Sequence, residues 1–248
     1  AGGSGTIFFS GCNLGCVYCQ NHRFSHSLEG SRVTGRELAG IMIRLQEKGA
    51  ENINLVTPTH FLPQILAALS IAIQDGLRLP LVYNTSGYEK EETIEMLDGI
   101  VDIYLADMRY ITPSLAERYS SAPNYPSVSQ TSLHTMYKQK QNIWEGETLK
   151  EGLVVRHLVL PGHSDESRKV LSWVNKNTPG AIISLMFQYQ PYFKAHLYPE
   201  IDRTVNEAEY DRTRDFLKGL ELEGWVQELS ARDELAGVHF EPSLEGLL

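Results

Sequence analysis

The three cysteines of the chain, Cys12, Cys16 and Cys19, lie within eight consecutive positions of a 248-residue sequence. They follow the spacing C-x3-C-x2-C in the run GCNLGCVYCQN, residues 11–21. Thiolates are the usual protein ligands of iron–sulfur clusters, and a four-iron cube has four corners to be ligated. Three cysteines on one loop would therefore leave one iron open to a ligand from outside the protein, as a catalytic site requires.

The same residues permit other kinds of site. A zinc ion could be held by the three cysteines together with His22 or His26, although zinc sites more often use two separated pairs of ligands. An electron carrier with an incomplete cluster site is a second alternative, and three unligated thiols would be the simplest case. The spacing alone does not decide between them.

Composition argues against several classes of protein. Apolar residues make up 42% and charged residues 21% of the chain, as in an ordinary globular protein with a core. The net charge of -9 argues against a general nucleic-acid or membrane-surface role, and the longest mostly apolar run, residues 62–73, is too short to span a bilayer. Because three clustered thiols do not form a secreted disulfide framework, and no secretory signal is visible, we expect a protein of the reducing cytoplasm.

Apolar runs alternate along the chain with segments of helical periodicity, which predicts alternating strands and helices. The predicted strands cover residues 6–9, 52–58, 79–87, 101–109, 153–162 and 181–191. The predicted helices that follow them cover residues 34–49, 62–76, 90–99, 112–121, 165–177 and 206–222. A further helix is predicted over residues 128–144, and the tail from Ser230 is weakly patterned.

Six near-continuous apolar strands, each followed by a helix, predict an α/β fold with a parallel sheet covered on its faces. Six units are short of the eight that close a standard barrel, so we predict an open, partial (β/α)6 TIM-like barrel. We expect a single domain over residues 1–248, with a core at about 6–191 and a C-terminal helix and tail over 192–248. Active groups belong at the carboxyl ends of such strands.

Polar or special residues end each predicted strand, at the edge of the sheet where we expect active groups. Any one strand end would be polar simply because strands must stop. Polar residues at all of the strand ends are stronger evidence for a site, because the same ring of loops would also hold every cysteine. The candidates beside the cysteines are Thr57, Thr59, Asn84, Ser86, Asp107, Arg109, Arg156 and Gln188.

The run Cys12-x3-Cys16-x-Tyr18-Cys19, placed directly after the first predicted strand, resembles the signature of the radical S-adenosylmethionine (SAM) superfamily. An aromatic residue before the third cysteine is part of that signature. Three runs are similar to those of pyruvate formate-lyase activating enzymes, namely CVYCQN (16–21), DMR (107–109) and VVRHLVLPGHSDE (154–166). The resemblance extends from residue 6 to about residue 190, and it implies a partial barrel of the radical SAM type.

This resemblance also implies the cofactors and the residues that hold them. Cys12, Cys16 and Cys19 would bind three irons of a [4Fe–4S] cluster, and SAM would chelate the fourth iron. Tyr18 would lie against the adenine of SAM. The other candidates for binding SAM are Asn21, Thr57, Thr59, Asn84, Ser86, Asp107, Arg109 and Gln188. The candidates for a catalytic role near the methionine end of SAM or the substrate are Asp107, Arg109 and Arg156.

One segment departs from the family. Where its members usually carry G-G-E-P after the second strand, this chain has Val56-Thr57-Pro58-Thr59, so the carboxylate that accepts from the SAM amino group is missing. Carbonyl and hydroxyl oxygens can still accept hydrogen bonds, but a charge-assisted bond is about twice as strong as a neutral one. We therefore expect weaker or differently shared binding of SAM. The neighbouring His60 is interpreted as a solvent-facing loop residue in preference to a base.

The resemblance further implies a reaction and its partners. A flavodoxin or ferredoxin would supply one electron to the cluster, and reductive cleavage of SAM would yield methionine and a 5′-deoxyadenosyl radical. That radical would remove a hydrogen atom from a substrate. In activating enzymes the donor is a glycine of a glycyl radical enzyme; a small molecule or another macromolecule remains the alternative. No nucleic-acid or membrane partner is expected.

Overall fold

The computed structural model describes residues 2–229, and the predicted tail from Ser230 lies outside them. Its sheet contains seven parallel strands in the order β1-β2-β3-β4-β6-β7-β8, and β5 forms an antiparallel hairpin with β6. The strands are β1 (Gly5–Phe8), β2 (Ile53–Val56), β3 (Leu81–Thr85), β4 (Ile103–Asp107), β5 (Ile143–Glu145), β6 (Thr148–Leu158), β7 (Ile182–Met186) and β8 (Gly224–Val226).

Eight α-helices lie between these strands within the described residues. They are α1 (His22–Ser25), α2 (Gly35–Glu47), α3 (Leu62–Gln74), α4 (Glu91–Glu95), α5 (Pro113–Ser120), α6 (Tyr125–Gln139), α7 (Ser164–Asn177) and α8 (Glu207–Lys218). Helix α2 begins with the capping box that the sequence predicts, because Thr34 and Glu37 each accept from the other's backbone N–H. No helix in the described range combines the length and apolar character that crossing a membrane demands.

The two faces of the sheet differ in burial. A row of in-register side chains on the outer face is at most 1% exposed, and it consists of Leu55, Tyr83, Tyr104 and Leu153. On the inner face, Asp107, Arg156 and Ser184 lie in one row, and the last two are only partly buried. The helices therefore cover the outer face, while polar side chains at the strand ends of the inner face remain partly accessible.

The predicted fold class is confirmed, since parallel strands form an open, barrel-like sheet. In the described part of the chain, β1 and β8 occupy opposite edges and do not pair with each other. The sheet has one more parallel strand than the six predicted, because β8 follows α8 and pairs with β7.

The predicted helix over residues 128–144 is wrong at both ends. Helix α6 begins at Tyr125, where Pro126 occupies the first turn without loss because its missing N–H is not needed there. It ends at Gln139, and Ile143–Glu145 form β5. Branched and aromatic residues favour a strand at this point, and Gly146, with a φ of 61°, supplies the turn into β6. Helix α4 is also shorter than the predicted 90–99.

Gly87, in the loop after β3, offers a test of how closely the strand ends pack. Its φ is +76°, and an added Cβ would lie 2.2 Å from the backbone oxygen of Asp107. Gly76 has a φ of +106° with nothing within 4 Å of such a Cβ. Because strain and overpacking add, we expect Gly87→Ala to lower the free energy of unfolding by about 3 kcal/mol, and Gly76→Ala by about 1 kcal/mol. Urea denaturation measures both, and equal losses would contradict the packing described.

Candidate cofactor site

The loop that carries the cysteines leaves β1 and is fixed by backbone hydrogen bonds to two helices. Gly11 N–H donates to the carbonyl of Phe24 in α1 at 2.9 Å. Gly15 N–H donates to the carbonyl of Ser120, at the end of α5, at 3.0 Å, and Val17 N–H donates to that of Tyr119 at 2.9 Å. The loop therefore has a defined backbone conformation before any ligand is considered.

The three thiols sit in unequal surroundings. Cys16 is 3% exposed, and its Sγ lies 3.0 Å from Ser120 Oγ and 2.8 Å from Nη1 of Arg109. Burial raises the pKa of Cys12, and burial together with the nearby Cys16 raises the pKa of Cys19 to about 11. Because burial disfavours these thiolates, the positive charge of a bound metal would have to stabilise them.

The donor set fits an iron–sulfur cluster better than a zinc ion. Across residues 2–229, no three His, Cys, Asp or Glu side chains converge as the ligands of a single metal ion. A cubane places each thiolate on a different iron, so such convergence is not needed. His22 and His26, the candidates for a fourth zinc ligand, stack instead on the ring of Phe193, with centroids 5.1 Å and 4.8 Å away.

Two polar residues, Asn21 and Tyr18, lie beside the cysteines and are also suited to a site that binds a cofactor. Asn21 Oδ1 is buried without a hydrogen-bond partner in the described structure, so a polar group could still be received there. The Tyr18 hydroxyl lies 2.6 Å from that of Tyr110, which in turn lies 3.0 Å from Ser120 Oγ. Burial raises the pKa of Tyr18, so its phenol is neutral.

Three charged side chains meet at the carboxyl ends of β4 and β6. Asp107 pairs with Arg109 through Oδ2 and with Arg156 through Oδ1, each at 2.7 Å. Arg156 Nη2 also donates to Asn84 Oδ1, at 2.7 Å. Burial alone would raise the pKa of Asp107, but Arg156 and Arg109 hold it below its ordinary value. Arg109 also contacts Cys16 Sγ, whereas Arg156 only shares the Asp107 carboxylate, so the partly offset charge of Arg156 suits an anionic ligand group.

The loop after β3 connects this charged cluster to the cysteine loop. Asn13 Nδ2 donates to the carbonyl of Tyr88 at 2.7 Å, and Ser86 Oγ lies 3.5 Å from Asn13 Oδ1. The Tyr125 hydroxyl lies within 3.0 Å of the carbonyls of Ser86 and Asp107. Sequence reasoning missed Asn13, Tyr125 and Ser120. Of these three residues, only Asn13 could have been identified from the sequence, because it lies between two cysteines.

Of the remaining predicted site residues, Thr57 and Thr59 lie just after β2 and Gln188 lies after β7. Thr57 donates its N–H to the carbonyl of Asn84 at 2.9 Å, and Thr59 Oγ1 donates to Glu89 Oε1 at 2.7 Å, so both join the ring of strand ends. Gln188 accepts instead from Gln227, which follows β8. His60 is exposed, as expected, but its Nε2 lies 2.6 Å from the Ser10 carbonyl and so supports the cysteine loop.

A family model described as the radical SAM superfamily matches residues 6–174. The chain belongs to the radical SAM superfamily. The cofactors inferred from the cysteine loop, a [4Fe–4S] cluster and SAM, are those of this family and are thereby confirmed.

Among curated proteins, the uncharacterized protein MJ0674 of Methanocaldococcus jannaschii is 31% identical to this radical SAM chain over 230 residues. That match covers 89% of this chain and 63% of MJ0674. The chain therefore spans less than two thirds of that relative.

Two crystal structures of SuiB from Streptococcus suis share the fold at 11% and 12% identity, one bound to the precursor peptide SuiA and the other to SAM. Their TM-scores are 0.62 and 0.60, and the matches cover 92% and 96% of this chain and 50% and 51% of SuiB. At this level of identity the likeness concerns the fold, and the chain spans about half of SuiB.

The Asp107 cluster generates a prediction about stability and pH. Replacing Asp107 by Asn leaves two arginines without their carboxylate, so we expect Asp107→Asn to lower the free energy of unfolding by about 3 kcal/mol at neutral pH. Asp165→Asn, which removes a carboxylate that is 82% exposed and 3.6 Å from Arg168, should change it by less than about 0.5 kcal/mol.

The same cluster fixes the sign of the pH effect. Because the pKa of Asp107 is lower in the folded than in the unfolded chain, its stabilisation is complete above the unfolded pKa of about 4 and is lost as the pH falls further. Denaturant titrations from pH 7 to pH 3 should show a steeper loss for the wild type than for Asp107→Asn. Parallel curves would contradict a charged Asp107.

Proposed function

We propose that this chain is a radical SAM oxidoreductase that removes a hydrogen atom from its substrate. The observation that carries the proposal is the docked loop of three cysteines, joined through Arg109 to the charged strand ends. When bound, the reduced [4Fe–4S] cluster supplies the electron that cleaves SAM to methionine and a 5′-deoxyadenosyl radical. The protein's own contribution is to bind, orient and shield the reactants.

In this proposal each polar residue has a stated task. Cys12, Cys16 and Cys19 hold the cluster, and Arg109 offsets the negative charge on Cys16. Arg156, oriented by Asp107, offers a cation to the carboxylate of SAM or to the substrate. Tyr18 forms the wall next to the adenine. Further polar contacts to SAM come from Asn21, Thr57, Thr59, Asn84, Ser86 and Gln188.

The inner face of the sheet supports the shielding role. Below the charged strand ends it is lined by apolar side chains, among them Val82, Ile103, Val154 and Ile182, which pack as a cluster of their own. Such a floor keeps water away from the reacting groups, so that the substrate is the hydrogen donor available to a carbon radical.

For the substrate, we propose a glycine of a glycyl radical enzyme, in a cytoplasmic, anaerobic setting with flavodoxin or ferredoxin as the electron donor. Support comes from the likeness of CVYCQN, DMR and the Arg156 strand to pyruvate formate-lyase activating enzymes. A different peptide or a small molecule is the second candidate. One of the two SuiB structures holds a bound precursor peptide, which favours a polypeptide within that alternative.

Anaerobic reconstitution tests the proposed cofactor chemistry. We expect about four irons and four sulfides per chain, and release of 5′-deoxyadenosine with SAM and dithionite. Cys16→Ala should remain folded by circular dichroism but lose the brown cluster absorbance, whereas Ser129→Ala, a change at a buried site in α6, should keep it. One tightly held zinc ion without cleavage would identify a binding module, and a redox couple insensitive to SAM would identify an electron carrier.

Isotope transfer tests the proposed substrate. A glycyl radical enzyme prepared with deuterated glycine, incubated with the reconstituted enzyme, SAM and dithionite, should place deuterium in 5′-deoxyadenosine and yield a glycyl radical signal. The same partner with its radical-bearing glycine changed to alanine is the matched control. Deuterium transfer from neither protein, while SAM is still cleaved, would contradict this substrate and leave the second candidate.

A further inference from the structure

The turn after β2 holds a threonine in a backbone conformation that glycine adopts far more readily. Thr57 has a φ of 57°, in the left-handed region. A residue branched at Cβ is a true outlier there. Strain of this kind persists only where the surroundings impose it, and it clusters at functional sites. Neighbouring residues must therefore stabilise this turn through specific contacts.

The carboxyl group of Glu89, from the loop after β3, makes these contacts. Its Oε1 accepts from Thr59 Oγ1 at 2.7 Å and also from Thr85 Oγ1, so a single oxygen links the turn after β2 to the end of β3. Glu89 is 2% exposed. A second bond, from Thr57 N–H to the carbonyl of Asn84 at 2.9 Å, holds the start of the same turn.

The surroundings of Glu89 are not those that would give the most stable fold. Its second oxygen, Oε2, is buried, and the hydroxyl of Tyr83 is the polar group that approaches Glu89 from the outer face of the sheet. Burying a carboxyl group costs free energy even when it is hydrogen-bonded, and an apolar side chain would fill the position without that cost. Burial also raises the pKa of Glu89, which favours the neutral carboxyl.

The turn that Glu89 holds is rich in hydrogen-bond acceptors. Pro58 has no N–H and its carbonyl accepts from Phe61 N–H at 2.9 Å, so the turn still carries more carbonyl oxygens than donors, which suits a cation. The neighbouring Arg156 shares the Asp107 carboxylate with Arg109, so its positive charge is only partly offset, which suits an anion. These two regions meet at Asn84, whose backbone bonds the turn and whose side chain bonds Arg156. Together they match a free amino acid group, with its ammonium and its carboxylate.

We propose that Glu89 is a positioning residue that holds the Thr57–Thr59 turn so that its carbonyl oxygens receive the ammonium group of SAM. This inference rests on the proposed function. Glu89 acts through the turn and does not touch the ligand. Thr85, to which it bonds, points to the outer face of the sheet, whereas its neighbour Asn84 points inward to Arg156.

The affinity of the reconstituted protein for SAM tests this role, read by equilibrium dialysis and by the change in the electron paramagnetic resonance (EPR) spectrum of the reduced cluster. We expect Glu89→Ala to weaken binding about ten-fold with iron content unchanged. Glu89→Gln should retain most of the affinity, because the amide oxygen can still accept from both threonines. Thr57→Gly combined with Glu89→Ala should restore it, because glycine adopts the left-handed conformation without strain.

Glu209→Ala is the matched control. It removes another buried acidic side chain, which accepts from Gly162 N–H and pairs with Arg203, so it should lower the melting temperature without changing SAM affinity. Should Glu89→Ala fail to fold, Thr85→Val removes the other hydrogen bond to Glu89, at a residue that does not contact SAM, and should also weaken SAM binding. Unchanged SAM affinity in Glu89→Ala, or no rescue of that variant by Thr57→Gly, would overturn the role of Glu89. A wild-type protein without a cluster or SAM binding would overturn the proposed function, and this inference with it.

Discussion

The guanidinium of Arg109 connects the two halves of the site, because it donates to Cys16 Sγ at 2.8 Å and pairs with the carboxylate of Asp107 at 2.7 Å. Asp107 also binds Arg156, and Arg156 binds Asn84. A connected set of hydrogen bonds therefore runs from the cysteine loop across the ends of β4, β6 and β3. These partly desolvated charges are stable only while each keeps its partner, so the loop and the sheet position each other.

The parallel sheet explains why this set of residues can form. Residues at the carboxyl ends of neighbouring strands are brought to one edge, and the pairing of Asp107 with Arg156 follows directly from the register of β4 and β6. Helices close the outer face, and partly buried polar side chains remain at the strand ends of the inner face. The same alternation separates the tasks of two neighbouring residues of β3, since Asn84 faces the site and Thr85 faces the bond to Glu89.

The parts of this site that could be predicted from the sequence are those written in local patterns. The cysteine spacing indicated the cluster, the apolar runs indicated the strands, and the polar residues after them indicated the group of polar side chains at the strand ends. The contact between Arg109 and Cys16 joins residues 93 positions apart, so no local pattern reports it. Glu89 lies in a polar loop, where nothing in the sequence signals burial. Strand β8, with three residues, is too short to produce a periodic signal.

The most direct test of the central claim is pulsed electron–nuclear resonance on the anaerobically reconstituted, dithionite-reduced protein with SAM labelled with nitrogen-15 in its amino group. If three cysteines hold a [4Fe–4S] cluster with one iron open to SAM, the cluster signal should show coupling to the labelled nitrogen. A cluster signal that stays the same with and without labelled SAM, or reduced protein that gives no cluster signal at all, would contradict the account.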